Sequence, residues 1–282
     1  MWSATVGEGY DDRTARWPLA FYRAQYTRFG SGLAAELRCE VFGEDIGQEG
    51  WRTAAEQNKI ADFLGAGADS HVLDVACGSG GPSLALVEQS GCLLTGVDVE
   101  AAGISYAQAQ ASERGIADRA TFAVLDCNGP LPFGDGSFDA VLCIDAISHF
   151  RDRFRTLSEW ARLLRHGGRL VFTDSLVITG PVTKSEIDIR TADGFFVFVP
   201  PGLDEEAITG AGLALLHRED RTAVVAEIAE RWRAARARHA AALEQGEGVE
   251  GFSQRQRLYA TVAELARSHR LSRFLFLAEK PA

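Results

Sequence analysis

The run Val72-Leu73-Asp74-Val75-Ala76-Cys77-Gly78-Ser79-Gly80-Gly81 decides how this chain is read. Its first residues are short, apolar and partly β-branched, which suits a buried strand. The glycines at 78, 80 and 81 then break the pattern, and Pro82-Ser83-Leu84 opens a helix, with proline in the first turn where its missing N–H costs nothing. Ligands of open α/β sheets bind at the carboxyl ends of strands. A glycine turn there lets backbone approach a ligand without an intervening Cβ, and positive φ is cheap.

Working outward, short apolar runs alternate with helical stretches. Strands are expected at His71–Ala76, Cys92–Asp98, Ala120–Asp126, Phe138–Asp145 and Arg169–Asp174, and helices at Pro82–Ser90, Ala101–Arg114 and Asp152–Arg165. Gly167-Gly168 is read as the C-cap of the last helix. This alternation is the signature of βαβ units and predicts a doubly wound, mostly parallel α/β sheet, Rossmann-like and seven-stranded once the two strands that follow are counted. Further along come a short helix at Asp204–Ala211, a strand at Leu213–Arg218, a long helix over Thr222–Glu244, a Gly-rich break at 246–251, a helix over Ser253–His269 and a final strand, Ser272–Ala278. Three segments result: an N-terminal helical lid over 1–66, an α/β core over 67–221 and 272–282, and a helical cap insertion over 222–271. An insertion far longer than the usual connection of about 4–6 residues is read as a cap over a substrate, or alternatively as a structural elaboration or homodimer surface.

Composition narrows the function. The 282 residues are 46% hydrophobic and 24% charged, ordinary for a globular protein, and the net charge is −10. A surface of that sign repels nucleic acid and anionic membranes, so neither is expected as a partner; a small-molecule substrate is. The five cysteines show no CxxC or histidine-paired spacing, so no metal site is expected and the thiols are read as reduced. With no apolar leader or spanning segment in view, a cytoplasmic protein is expected. Abundant Ala and Arg with only three lysines point to a high-GC bacterial source and specialised metabolism.

The ligand is read from strand ends. A dinucleotide fingerprint needs Gly or Ala where this chain has Ser83, which weakens a pyrophosphate reading. Asp98, twenty residues beyond Gly78, is placed to accept both hydroxyls of a ribose, a feature common to several adenosine ligands. Asp74, Asp98, Asp126 and Asp145 all fall at carboxyl ends of strands, and such a row suits a ligand carrying positive charge better than a pyrophosphate.

Taken together, VLDVACGSGG, TGVDVE, FAVLDCN, FDAVLCIDAISHF and LLRHGGRLVFTD resemble the successive motifs of class I S-adenosylmethionine-dependent methyltransferases across residues 70–176. The closing RFLFLAEKP looks like the last, antiparallel strand of that fold. FYRAQY and FGEDIG, ahead of the core, are similar to the sarcosine/dimethylglycine-type small-molecule N-methyltransferases. The resemblance implies S-adenosylmethionine as cofactor and S-adenosylhomocysteine as product. It further implies that Asp74, Ala76, Gly78 and Gly80 hold the methionine part, Asp98 and Val99 the ribose side, Asp126 and Cys127 the adenine border, and the backbone near Asp145 the amino-acid end. His149 would face the transferable methyl group and is the expected general base, since a neutral imidazole accepts a proton near pH 7. Tyr22, Tyr26 and Phe196, with Phe21, Phe195 and Phe198, are expected to line the acceptor pocket. Ser175 stands where the metal-dependent catechol-type enzymes carry Asn, which again argues against a metal. An NAD(P)-dependent Rossmann oxidoreductase and a non-catalytic S-adenosylmethionine-binding protein remain the alternatives. The oxidoreductase lacks a Tyr-x-x-x-Lys pair here.

Overall fold

The computed structural model describes residues 22–191 and 195–282; Phe21 lies outside them. In chain order the elements are α1 (22–28), α2 (Gly32–Phe42), α3 (Ala54–Leu64), β1 (His71–Val75), α4 (Gly81–Ser90), β2 (Leu93–Asp98), α5 (Ala101–Glu113), β3 (Ala120–Val124), β4 (Phe138–Cys143), a 3-10 turn (Ile147–His149), α6 (Arg153–Leu163), β5 (Leu164–Ile178), α7 (Lys184–Arg190), α8 (Leu203–Gly210), β6 (Ala214–Asp220), α9 (Thr222–Arg238), α10 (Ala240–Arg267) and β7 (Leu271–Glu279). Seven strands among the described residues form one sheet in the order β3-β2-β1-β4-β5-β7-β6. β7 runs antiparallel to β5 and β6, and the remaining pairs are parallel.

Strand periodicity builds two apolar layers. Val72, Leu142 and Val171 face α3, α4 and α5, meeting Ile60, Leu84 and Ile104. Their chain neighbours Leu73, Val141 and Leu170 face α6 and α8, meeting Trp160 and Ile208. A sheet covered on both faces needs strands apolar at nearly every position, which is why β1 reads as a continuous run rather than an alternating one. A third apolar cluster joins α2 (Leu37, Val41, Phe42) to α9 (Val225, Ile228) and α10 (Val262, Ala266).

Several expected boundaries move. The strands at Ala120 and Phe138 end two residues early, so Asp126 and Asp145 stand in the loops beyond them. Gly167-Gly168 does not cap α6. The helix ends at Leu163, Leu164 is already extended, and Gly167 turns at φ +73° where its N–H reaches the Lys280 carbonyl. The long helix stops at Arg238 rather than Glu244, and the next runs through the Gly-rich stretch with only Gly248 leaving helical geometry. α3 falls within the segment expected as a lid, yet Ile60 and Leu64 pack on the sheet. No helix among the described residues is long and apolar enough to cross a membrane.

Candidate functional site

The sheet order reverses between β1 and β4, so their following helices leave on opposite faces and a crevice opens between the two carboxyl ends. Both ends are strained. Ala76, just past β1, has φ +59°, and Asp145, just past β4, has φ +57°. Left-handed geometry costs a residue with a Cβ about 1–2 kcal/mol, and such strain gathers at ligand sites.

The four strand-end acids, expected to form one row facing a cation, have separate tasks. Asp74 is buried beneath the turn and accepts the Ser83 hydroxyl, while burial pushes its pKa up to about 6. The serine that departs from a dinucleotide fingerprint therefore fastens the first helical turn to the strand. Asp145 is engaged three times: Oδ1 accepts Arg273 Nε (2.6 Å) and the Thr173 hydroxyl (3.0 Å), and Oδ2 accepts the Trp51 N–H (2.8 Å). Burial opposes its ionisation, but the Arg273 charge and these donors hold the carboxyl below the usual carboxylate range. Asp126 is exposed at the rim, where Oδ1 accepts the Asn128 N–H at 2.9 Å.

Asp98 differs. Oδ2 accepts the Gly78 N–H (2.9 Å) and Oδ1 the Glu100 N–H (2.8 Å). Each oxygen keeps a second lone pair for a diol. Burial raises its pKa against the pull of those two N–H groups. Beside it, Val99 at the tip of β2 and Val124 at the tip of β3 are 48% and 50% exposed. Two exposed valines flanking a carboxylate make an apolar lip of the kind a flat heterocycle covers. Cys127, half-buried, lies near the same carboxylate, and burial with the Asp98 and Asp126 charges pushes its thiol pKa up.

Arg52 is the principal group that sequence reading missed. Its Nη1 donates to Gln57 Oε1 (3.0 Å), and its Nε is buried without a hydrogen-bond partner. Burial lowers its pKa, while Asp74, Asp145 and Glu56 favour its charge, so it lies by the β1 and β4 tips. An underused guanidinium beside the glycine turn is suited to a ligand carboxylate. Its only sequence signal is its place just before Thr53, the N-cap of α3.

α1 closes over the turn. A Cβ built on Gly78 would lie 2.6 Å from the Tyr26 hydroxyl, and the left-handed backbone there (φ +58°) favours glycine. Burial, Asp98 and Glu49 push the Tyr26 phenol well above its usual pKa. Tyr22 stacks on Tyr26 and reaches His149, whose Nε2 lies 3.1 Å from its hydroxyl. His149 Nδ1 lies 3.0 Å from the Phe195 carbonyl. A carbonyl only accepts, so Nδ1 carries the proton, Nε2 accepts, and the Tyr22 hydroxyl donates. Phe196 covers the imidazole at 4.6 Å between centroids. Burial, aided by the charges of Arg190 and Arg153, lowers the His149 pKa to about 4. The structure thus brings Tyr22, His149 and Phe196 together, and sets Tyr26 against Gly78.

Comparison with known proteins bears on the family and the fold. Residues 73–172 match the family model described as a methyltransferase domain. The chain is similar to the 27-O-demethylrifamycin SV methyltransferase of Amycolatopsis mediterranei, 28% identical over 161 residues. That alignment covers 54% of this chain and 59% of the relative, so the chain spans less than two thirds of the relative's length. Among solved structures it is similar to geranyl diphosphate C-methyltransferase of Streptomyces coelicolor, determined with Mg2+, geranyl diphosphate and S-adenosyl-L-homocysteine (TM-score 0.66, 22% identity, 80% of this chain and 77% of that one). It is also similar to the (4+2)-cyclase SpnF (TM-score 0.68, 21% identity, 93% and 97%). At these identities the two structures speak for the fold alone.

Proposed function

Because the chain belongs to the class I S-adenosylmethionine-dependent methyltransferases, we propose that it transfers the S-methyl group of S-adenosylmethionine to a small-molecule acceptor held between Tyr22, Phe196 and His149. The observation that carries the reading is Asp98, a carboxylate fixed by the Gly78 and Glu100 N–H groups with one lone pair per oxygen to spare, beside the exposed Val99 and Val124. The residues fit the cofactor in three places. Asp98 would take the ribose hydroxyls, the valine lip the adenine, and Arg52 the carboxylate of the methionine part. When bound, the cofactor supplies an electrophilic methyl group on a sulfonium. The chain's own residues exclude water and orient the acceptor, as in-line displacement requires. An acceptor with an N–H or O–H loses a proton, which would pass to the Tyr22 oxygen as the phenol proton moves to His149 Nε2. An imidazole with a pKa of about 4 holds that proton only transiently, so the relay would release it to solvent. The similarity to the 27-O-demethylrifamycin SV methyltransferase supports a small-molecule acceptor, methylated on oxygen, nitrogen or carbon, which we place in specialised bacterial metabolism.

Calorimetric titration with S-adenosylmethionine, S-adenosylhomocysteine and NAD, on wild type and Asp98→Ala, tests the reading. Binding of both sulfur ligands, lost in the variant, is the expected result. Binding of NAD alone would promote the oxidoreductase and overturn the proposal.

A further inference from the structure

Arg153 occupies an unfavourable position for a cation. It is the first residue of α6, where the helix dipole repels positive charge, and it is only 3% exposed. Its hydrogen bonds show what its guanidinium does there. Nη1 donates to the carbonyls of Ile147 and Phe150 (3.1 Å to the latter), which bracket the turn carrying His149. Nη2 donates to Asp174 Oδ2 at the end of the parallel stretch of β5 (2.7 Å) and lies 3.5 Å from the Val197 carbonyl. Val197 belongs to the strap 195–199, whose Phe195 carbonyl receives His149 Nδ1 and whose Phe196 covers the imidazole. The strap is bound to the turn once more, by the Val197 N–H on the Ser148 carbonyl (2.7 Å), and to β5 by the Val199 N–H on the Leu176 carbonyl (3.1 Å). Asp174 is itself fixed, with Oδ1 accepting the Leu176 N–H at 2.8 Å.

We propose that Arg153 is a positioning residue for the Tyr22–His149 pair: one guanidinium fork ties the 147–150 turn to the 195–199 strap and anchors both to Asp174. The Phe195 carbonyl thereby stays on Nδ1, and Nε2 stays turned toward Tyr22. Lysine cannot replace it, because its single ammonium lacks the planar set of donors that reaches two loops and a carboxylate at once. Asp174 is on this account the anchor of the clamp. Asp204 Oδ1 faces Arg153 Nε at 3.4 Å without a hydrogen bond and is not one of the ties of the clamp. The catalytic importance of the clamp rests on the methyl-transfer reading, but its effect on His149 does not.

The test is the tautomer of His149, read from 15N-histidine long-range correlation spectra of the full chain and assigned with His149→Gln among the six histidines. The titratable groups facing the imidazole are Tyr22 from α1, Arg190 from α7 and Arg153 from α6. Wild type should show the Nδ1–H form throughout the range above a pKa of about 4. Arg153→Lys, which keeps the charge beside Asp174, should give mixed tautomers with the pKa moved toward the ordinary value of about 6.5. Its dissociation constant for S-adenosylhomocysteine should stay within about twofold of wild type, since the lesion is away from Asp98 and Arg52. An Nε2–H tautomer in wild type overturns the clamp without any variant having to fold. So does an Arg153→Lys spectrum identical to wild type. Failure of wild type to bind S-adenosylhomocysteine would instead remove the methyltransferase reading and leave the clamp standing.

Discussion

At the scale of single residues, the site depends on which polar groups still have bonding capacity to offer. Arg52 has a buried Nε with no partner, so Arg52→Ala should weaken S-adenosylhomocysteine binding roughly 10- to 100-fold, the equivalent of one charge-assisted hydrogen bond of about 1.5–3 kcal/mol. An unchanged constant in calorimetry would take Arg52 out of the site. Asp204 gives a pH signature. Burial first, then the Asp174 charge, raise its pKa to about 7, against the opposing pull of Arg153. An unfolded aspartate titrates near about 3.9, so between these values the folded chain binds the extra proton, and stability falls as pH rises through that window. Asp204→Asn cannot lose such a proton. Its thermal midpoint, relative to wild type, should improve from pH 4 to pH 7 and level off above; a constant offset across that range would refute the assignment. Of these features, only the positions of Asp98 and the glycines were legible in the sequence. Asp145 reads identically whether it faces a ligand or, as here, Arg273.

At the scale of elements, glycine content was a partial guide. Gly246, Gly248 and Gly251 reduce local helix propensity enough to predict a full break, yet α10 runs through two of them and bends only at Gly248, with φ +80° and ψ +155°. The bend separates a mostly exposed N-terminal portion from one that buries Leu258, Val262, Leu265 and Ala266. Near it, Arg28 of α1 donates to the Gly246 carbonyl at 2.8 Å. Gly248→Ala should cost about 1–3 kcal/mol in urea unfolding, since that backbone geometry is open almost only to glycine. A stabilised variant would mean that α10 is straight in solution. The Gly167-Gly168 pair misled for a related reason. A glycine after a helical stretch marks a turn, but only the contact with Lys280 decides that the turn belongs to the next strand.

At the scale of the whole molecule, one buried charge network links the parts around the crevice. Arg273 of β7, fully buried, donates Nη1 to Glu56 Oε2 of α3 (2.9 Å), Nη2 to Glu56 Oε1 (2.5 Å) and Nε to Asp145 (2.6 Å). Through Asp145 it holds the Trp51 N–H, next to Arg52. Arg273→Met should destabilise the chain by about 3–5 kcal/mol, because Asp145 is left buried without its hydrogen-bonded cation and Glu56 keeps only Arg221. Adding Glu56→Gln should recover part of that loss in urea unfolding, and strict additivity of the two changes would argue against a shared network.

The sequence alone determined the class of fold and the alternation of strands and helices along the chain, because short apolar runs and glycine turns are local signals set within a few residues. Tertiary structure alone decided which acids are free and which are neutralised, that Arg52 reaches the strand tips, and that Tyr22 and His149 form one unit. Those outcomes turn on hydrogen bonds and ion pairs between groups distant in the chain, such as Tyr22 with His149 and Asp145 with Arg273. Burial then sets their charge, and no window of sequence contains both partners.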